Sequence, residues 1–185
     1  MRIVFVLIFL LTSATVPAQD AGPVIFQTTR GEVNFVSEAP LEIIKASSDE
    51  LNGLINTDER TFAFTMKTRS FKGFNSPLQQ EHFYENYIES NQYPNARFSG
   101  KIIEPVNLLE AGEYSVRAKG ILDIHGVKKE RVIRVDLKIE DGKITADSTF
   151  EVLLEDHNIT IPKMVFQKIS EQIRVDVNLE FRQKK

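Results

Sequence analysis

The chain has 185 residues, with 23 basic and 26 acidic side chains, a net charge of −3 at pH 7 and no cysteine. Its length indicates one domain, and the excess of acid argues against a nucleic-acid partner, because phosphate binding needs a basic face. Without cysteine there is neither a disulfide nor a lipid-anchored N-terminal cysteine, so the hydrophobic core alone has to hold the fold.

The first residues have the pattern of an export signal. Arg2 precedes an apolar run over residues 3–11, and small residues lead up to Ala18. The run is too short to cross a bilayer as a helix, and this arrangement is typical of a cleaved secretory signal peptide. We predict a signal peptide over residues 1–18 and one mature domain over residues 19–185, periplasmic or secreted. An uncleaved N-terminal anchor is the alternative, and no later segment is apolar for membrane length.

The first half of the mature chain alternates apolar and polar residues, as strands with one buried face do. Residues 24–36 contain two apolar pieces around a predicted turn at residues 29–31, and a second run covers residues 41–55. Gly53 within that run is typical of a bulge or a sharp bend. Residues 61–67 predict another strand, whose apolar side is made of Phe62, Phe64 and Met66.

Residues 77–89 are the one segment with a convincing helical pattern. Ser76 supplies a hydroxyl for the helix N-cap, and Pro77 occupies the first helical position, where a missing N–H costs nothing. Phe83 and Tyr87 lie one turn apart and begin an apolar stripe, with polar side chains around it. The pattern therefore predicts a single helix in a chain that otherwise favours strands.

The last third of the chain predicts an antiparallel meander of long strands. At about 3.3 Å per residue, such strands span roughly 30 Å or more, and the pairs His125-Gly126 and Asp141-Gly142 are typical of tight hairpin turns. Closing the sheet into a barrel would cover its apolar face and remove exposed edges. In the final strand we expect Val175 and Val177 to face inward. The alternating segments are residues 112–126, 131–139, 143–154 and 171–182.

Several stretches of the chain resemble the YceI-like family, and the likeness covers roughly residues 22–181. The resemblance implies an all-β fold, an eight-stranded antiparallel β-barrel of lipocalin-like shape with one α-helix near a barrel opening. Some members of the family hold a polyisoprenoid or quinone-like chain inside the barrel, so the resemblance also implies an apolar lipid partner. The stretches that carry it are FKGFNSP from Phe71, EHFYENY from Glu81, YPNARFSG from Tyr93, GILDIHGV from Gly120 and the segment from Ile159 to Pro162.

Aromatic side chains are concentrated in the central third of the chain, where strands and a helix can line an apolar tunnel. Small residues at Ala118, Gly120, Ala146 and Ser148 leave volume unfilled on the inward side. An eight-stranded barrel is just wide enough to hold either a side-chain core or one small ligand. A filled barrel that works through its surface, as an interaction or stress-related module, is therefore the alternative. The predicted ligand-binding residues are Phe62, Phe64, Met66, Phe71, Phe74, Phe83, Tyr84, Tyr87, Phe98, Ala118, Gly120, Leu122 and His125.

Catalytic and metal-binding patterns find little support in the sequence. The histidines His82, His125 and His157 have no metal-ligand spacing, so we expect no metal and no cofactor. His125 is expected to support its turn by hydrogen bonding, or else to orient a ligand head group at a barrel mouth. The chain has no cysteine nucleophile, no Gly-x-Ser-x-Gly elbow and no phosphate-binding glycine loop, so we expect a binding protein and not an enzyme.

Overall fold

The computed structural model describes residues 22–140 and 142–184, which form a closed antiparallel barrel. Each strand pairs with its neighbours in sequence, and the last strand pairs with the first. The predicted eight-stranded all-β barrel is confirmed. Its strands are β1 (Ile25–Glu38), β2 (Ile43–Asn56), β3 (Thr61–Lys67), β4 (Asn95–Ile102), β5 (Gly112–Ile124), β6 (Val127–Glu140), β7 (Lys143–Leu153) and β8 (Gln172–Gln183).

The predicted signal peptide at residues 1–18 lies outside the described residues. Within the two described ranges, no helix is long and apolar enough to cross a membrane. The hairpin residue Asp141 also lies outside them, but Glu140 pairs with Lys143 and Gly142 has a φ of 69°, as a two-residue turn requires.

The alternation in the second half of the chain forms the barrel wall as predicted. In β5, Val116, Ala118 and Leu122 are buried, while Arg117 and Lys119 point to solvent. The strands β6, β7 and β8 alternate in the same way. Because side chains on a strand point to opposite faces in turn, most inward positions are apolar or small and the outward ones can be charged.

The turn predicted at residues 29–31 is wrong, because β1 runs straight through it. The inward side of β1 shifts there by one residue, and Thr29 and Arg30 are both exposed. In β2, Asp49 and Glu50 are likewise both exposed, and the pairing register between the two strands shifts at this level. A bulge in each strand therefore increases the local bend while the apolar side stays inward on both sides of it.

Gly53 lies next to this bulge, where its missing side chain makes room for an aromatic ring. It pairs with Thr28 on β1 and with Phe64 on β3. A Cβ added at this position would lie 2.1 Å from Cδ1 of Phe64. The glycine therefore lets the Phe64 ring lie across the backbone of β2.

The two ends of the barrel differ in how they are covered. At one end the connections β2–β3, β4–β5 and β6–β7 meet a layer of side chains in which Phe181, Leu108 and Ile144 are almost wholly buried. At the other end, connections of residues 68–94 and 154–171 are much longer. We call the end with Phe181, Leu108 and Ile144 the closed end, and the end with the long connections the mouth.

The predicted helix lies at the mouth, in the β3–β4 connection. It consists of α1 (Pro77–His82), which continues as one π-helical turn over Phe83–Tyr87. Its N-cap is the predicted one, since the backbone N–H of Gln79 donates to Oγ of Ser76 at 3.1 Å. The helix ends at Tyr87, two residues before the predicted boundary at residue 89.

The faces of β8 make a testable prediction. Val177 faces the barrel interior, so Val177→Asp places a charge in an apolar space without a partner and should lower the free energy of unfolding by about 3 kcal/mol or more. Asp176→Asn is the matched control, because Asp176 points outward and Thr149 Oγ1 still finds an acceptor there; we expect a change of about 0.5 kcal/mol or less. Urea unfolding measures both, and equal losses would contradict the assignment of faces.

Candidate ligand-binding cavity

An apolar cavity of about 460 Å³ runs inside the barrel. Its lining extends along β5 from Val116 to Ile124 and along β8 from Ile173 to Phe181. At about 3.3 Å per residue, each stretch covers roughly 26 Å of strand. The volume is in the range of small-molecule sites, roughly 300–1,000 Å³. A space this long inside so narrow a barrel has the shape of a linear chain.

Most of the residues predicted to bind ligand are brought together around this cavity. The same lining includes Ala146 and Ser148, the small inward residues of β7. The structure shows that these residues lie around one cavity, and their contact with a ligand stays a prediction. The ten predicted residues that line the cavity are Phe62, Phe64, Met66, Phe71, Phe74, Phe83, Tyr87, Phe98, Ala118 and Leu122.

The aromatic rings of the cavity form two groups. In the deeper group, Phe62 contacts Phe64 and Phe98, with ring centroids 5.4 and 4.9 Å apart. At the mouth, the ring of Phe35 lies among three others, at centroid distances of 5.0 to 5.9 Å. We call Phe35, Phe71, Phe74 and Phe83 the mouth cluster. Phe35 was missed by the sequence interpretation, although its alternation with Val33 on β1 already placed both on one face.

Gly120 is not among the residues that line the cavity, and its contact with a ligand stays a prediction. It pairs with Gly100 on β4, and a Cβ added to it would lie 2.3 Å from the carbonyl oxygen of Ser99. A Cβ on Gly100 would similarly lie 2.1 Å from the carbonyl oxygen of Lys119. The absent side chains therefore allow β4 and β5 to approach closely.

Tyr84 is also outside the lining, because its hydroxyl anchors the chain that leads into the helix. The hydroxyl lies 2.5 Å from the carbonyl oxygen of Phe71 and 3.0 Å from that of Arg69. The guanidinium of Arg69 lies over the ring, 5.2 Å from its centroid. Tyr84 therefore holds the mouth cluster in place from outside the cavity.

His125 is outside the lining too and joins three segments at the rim of the barrel. Its Nδ1 lies 3.0 Å from the carbonyl oxygen of His157, and its Nε2 lies 2.5 Å from Oε2 of Glu89. The ring also contacts Tyr93 edge-on at 4.5 Å. The expectation that His125 supports its turn by hydrogen bonding is confirmed.

His125 and Gly126 both have positive φ, 53° and 72°, as a two-residue hairpin turn of this kind requires. A Cβ on Gly126 would lie 2.5 Å from the ring of Tyr93. The Tyr-Pro and Ile-His-Gly stretches that stood out in the sequence therefore meet here, and they fix the helix end against the β5–β6 hairpin.

His157 holds the same hairpin from the inside. It is fully buried, and its Nδ1–H donates to the carbonyl oxygens of Val127 at 3.2 Å and Ile124 at 3.3 Å. Its Nε2 is buried without a hydrogen-bond partner. Burial lowers the pKa of His157 below its usual value, because the charged form would lose its hydration. The ring is therefore neutral at pH 7.

Metal-ligand clusters do not form in the part of the chain that the structure describes. No three side chains of His, Cys, Asp or Glu converge there. His82 is exposed at the edge of the mouth, far along the chain from His157, which is enclosed in the wall. The cavity therefore offers apolar surface and shape, with a few polar groups near its mouth.

The buried His157 predicts a pH-dependent contribution to stability. Below about pH 6.5 the unfolded chain binds a proton at His157, whereas the buried ring of the folded protein stays neutral. The free energy of unfolding therefore falls as pH decreases through that value. In His157→Gln this loss disappears, while the amide can still donate to the two carbonyls. The difference in unfolding free energy between the native chain and the variant should therefore shrink between about pH 7.5 and about pH 5.

The control is His82→Gln, which changes an exposed histidine on α1. Comparing the two series separates the effect of burial at His157 from the effect of removing a histidine. Urea unfolding at several pH values measures both series. A difference for His157→Gln that stays constant or grows on acidification would contradict a neutral buried ring.

Comparison with known proteins yields one family and a set of similar folds. The family model described as YceI-like domain matches residues 25–181, more than four-fifths of the chain. No curated protein matches the sequence. A polyisoprenoid binding domain from Saccharophagus degradans, implicated in plant cell wall breakdown, superposes with a TM-score of 0.72 at 17% identity, covering 86% of this chain and 98% of its own.

Two other solved structures have the same fold. BcnA of Burkholderia cenocepacia gives a TM-score of 0.66 at 15% identity, covering 81% of this chain and 95% of its own. A YceI protein of Campylobacter jejuni gives a TM-score of 0.55 at 14% identity, covering 98% and 94%. At these identities the likeness is one of fold.

Proposed function

The chain belongs to the YceI-like family, and we propose that it is an exported protein that holds one long apolar chain, isoprenoid or quinone-like, inside its barrel. The observation that carries this proposal is the elongated apolar cavity of about 460 Å³. Burying a hydrocarbon chain there gives about 25 cal/mol per Å² of apolar surface, so affinity needs few polar contacts. The polyisoprenoid binding domain of Saccharophagus degradans, which has the same fold, supports this ligand class.

The distribution of polar groups supports one orientation of the ligand. The charged residues of the lining are Glu42, Arg97 and Lys168, in the β1–β2 connection, the first part of β4 and the β7–β8 connection. All three belong to the mouth end of the barrel. The tail of the ligand would therefore lie toward Phe181, and a polar head would remain at the mouth. The proposed function is binding without a catalytic step.

The cavity also favours lipid binding over the alternative of a filled barrel. Side chains that filled the interior would leave no connected volume between Leu179 at depth and Phe35 near the mouth. Ser148, on the cavity side, donates its hydroxyl hydrogen to the carbonyl oxygen of Arg134 at 2.7 Å. Because this polar group is satisfied within the wall, it does not interrupt the apolar interior.

Replacing Ala118 by Leu tests the ligand. Ala118 lines the cavity between Ile102 and Ile133, so a leucine would occupy the space of the ligand chain. We expect the lipid-free Ala118→Leu variant to melt close to the native protein and to lose the lipid that co-purifies with the native protein. Thermal melting and mass spectrometry of organic extracts measure the two effects.

The matched control is Ala63→Leu, the same change at an exposed position on β3. It should keep both the melting temperature and the lipid. In a filled core, Ala118→Leu would overpack the interior and lower the free energy of unfolding by about 1–3 kcal/mol, and neither protein would carry lipid. That result would contradict lipid binding and favour the surface-interaction module.

Export is part of the proposal and has its own test. The apolar run over residues 3–11 and the small residues before Gln19 support cleavage after Ala18. N-terminal sequencing of the protein from its native host should begin at or next to Gln19. Soluble protein that retains Met1 in the cytoplasm would contradict a periplasmic or secreted location.

A further inference from the structure

Large apolar side chains lie exposed around the mouth of the barrel. Met164 is 96% exposed and Phe166 is 63% exposed, both in the β7–β8 connection. Leu41 in the β1–β2 connection and Leu78 on α1 are exposed as well. We call Leu41, Leu78, Met164 and Phe166 the apolar rim.

Hydrogen bonds join the segments of the apolar rim into one surface. The backbone N–H of Leu41 donates to the carbonyl oxygen of Gln167 at 2.9 Å. On the other side, Nε2 of Gln79 on α1 donates to Oε1 of Glu42 at 2.9 Å. The β1–β2 connection therefore links the helix to the β7–β8 connection, and the rim residues have fixed positions relative to the mouth.

The segment that carries Met164 and Phe166 divides its apolar residues between the cavity and solvent. Val165 and Ile169 line the cavity, and the backbone N–H of Ile169 donates to the carbonyl oxygen of Val165 at 3.2 Å. Met164 and Phe166 project outward from the same short turn. The apolar surface of the interior therefore continues onto the outside of the molecule at this point.

The segment that carries Met164 and Phe166 is basic, while Glu38 and Glu171 line a neighbouring surface groove together with Lys163 and Phe166. Lys163 and Lys168 flank Met164 and Phe166, and no acidic residue occurs between Asp156 and Glu171, although the chain carries −3 overall. Glu42, the nearest acid on the β1–β2 connection, accepts hydrogen bonds from the amides of Asn75 and Gln79. Exposed apolar residues between lysines are typical of surfaces that bind anionic membranes.

We propose that the apolar rim docks on the surface of an anionic phospholipid bilayer, with the mouth facing the lipid. Met164 and Phe166 would enter the interface, and Lys163 and Lys168 would contact phosphate groups. This docking rests on the proposed function, because a protein that holds a long apolar ligand needs a path between membrane and cavity that avoids water. A second copy of the chain is the alternative occupant of the apolar rim, and measurement of the oligomeric state distinguishes it from a bilayer.

Vesicle flotation tests the docking directly. Purified, lipid-free protein is mixed with vesicles of phosphatidylcholine alone or of an equimolar mixture of phosphatidylcholine and phosphatidylglycerol. We expect flotation with the anionic vesicles, and weaker binding at high salt or with phosphatidylcholine alone. Because the cavity is empty at the start, this measurement does not depend on whether the proposed ligand is right. Absence of flotation with the anionic vesicles would overturn the proposal.

Substitutions separate the rim from other exposed apolar residues. Met164→Ser with Phe166→Ser should weaken binding to anionic vesicles about tenfold or more, and Lys163→Gln should weaken it about fivefold. None of these residues lines the cavity, so lipid that co-purifies with the protein should be retained. Leu109→Ser, at an exposed residue of the closed end, is the matched control and should bind like the native protein.

Two further results would overturn the docking surface. One is a Met164→Ser, Phe166→Ser protein that floats as well as the native protein and the Leu109→Ser control. The other is a concentration-dependent dimer, seen by light scattering, that is lost in the same double variant while neither protein floats. The second result would assign the apolar rim to a contact between two copies of the chain.

Discussion

Pairing of the last strand with the first is the contact on which the rest of this structure depends. Residues of β8 from Ile173 to Gln183 pair with β1 from Ser37 back to Phe26. Without this pairing the sheet would have two exposed edges and an apolar face open to water. With it, the inward side chains of eight strands enclose a common space, and the alternation of each strand becomes the lining of one cavity.

The closed barrel is functionally asymmetric because its connections differ in length. At the closed end, Phe181 on β8 and Leu108 on the β4–β5 connection are large buried side chains that seal the interior. The long connections at the mouth supply the helix and, apart from Leu41, the apolar rim. The β5–β6 hairpin there is a tight turn held by His125 and His157. The result is a pocket with a fixed depth and an entrance on one side.

Much of this arrangement could be predicted from sequence, because the period of two in β5 to β8 is uninterrupted. The bulged pair β1 and β2 could not, since the change of face at Thr29 and Asp49 is set by pairing with the neighbouring strand. Gly120 shows a second limit. A missing side chain can leave space for a ligand or let two backbones approach, and only the position of Ser99 decides between them.

Closure by the two terminal strands also determines the order in which the barrel can form. β1 is synthesised before the other strands of the barrel, but its partner β8 lies almost a full domain length away in sequence. Such non-local contacts raise the contact order and slow folding, since chain entropy is lost long before the contacts form. Until β8 arrives, the edge of β1 and the apolar interior stay accessible, and no disulfide is available to hold the unfinished sheet. A truncated or stalled chain therefore has the exposed edge that favours aggregation, which makes β8 important to solubility as well as to closure of the cavity.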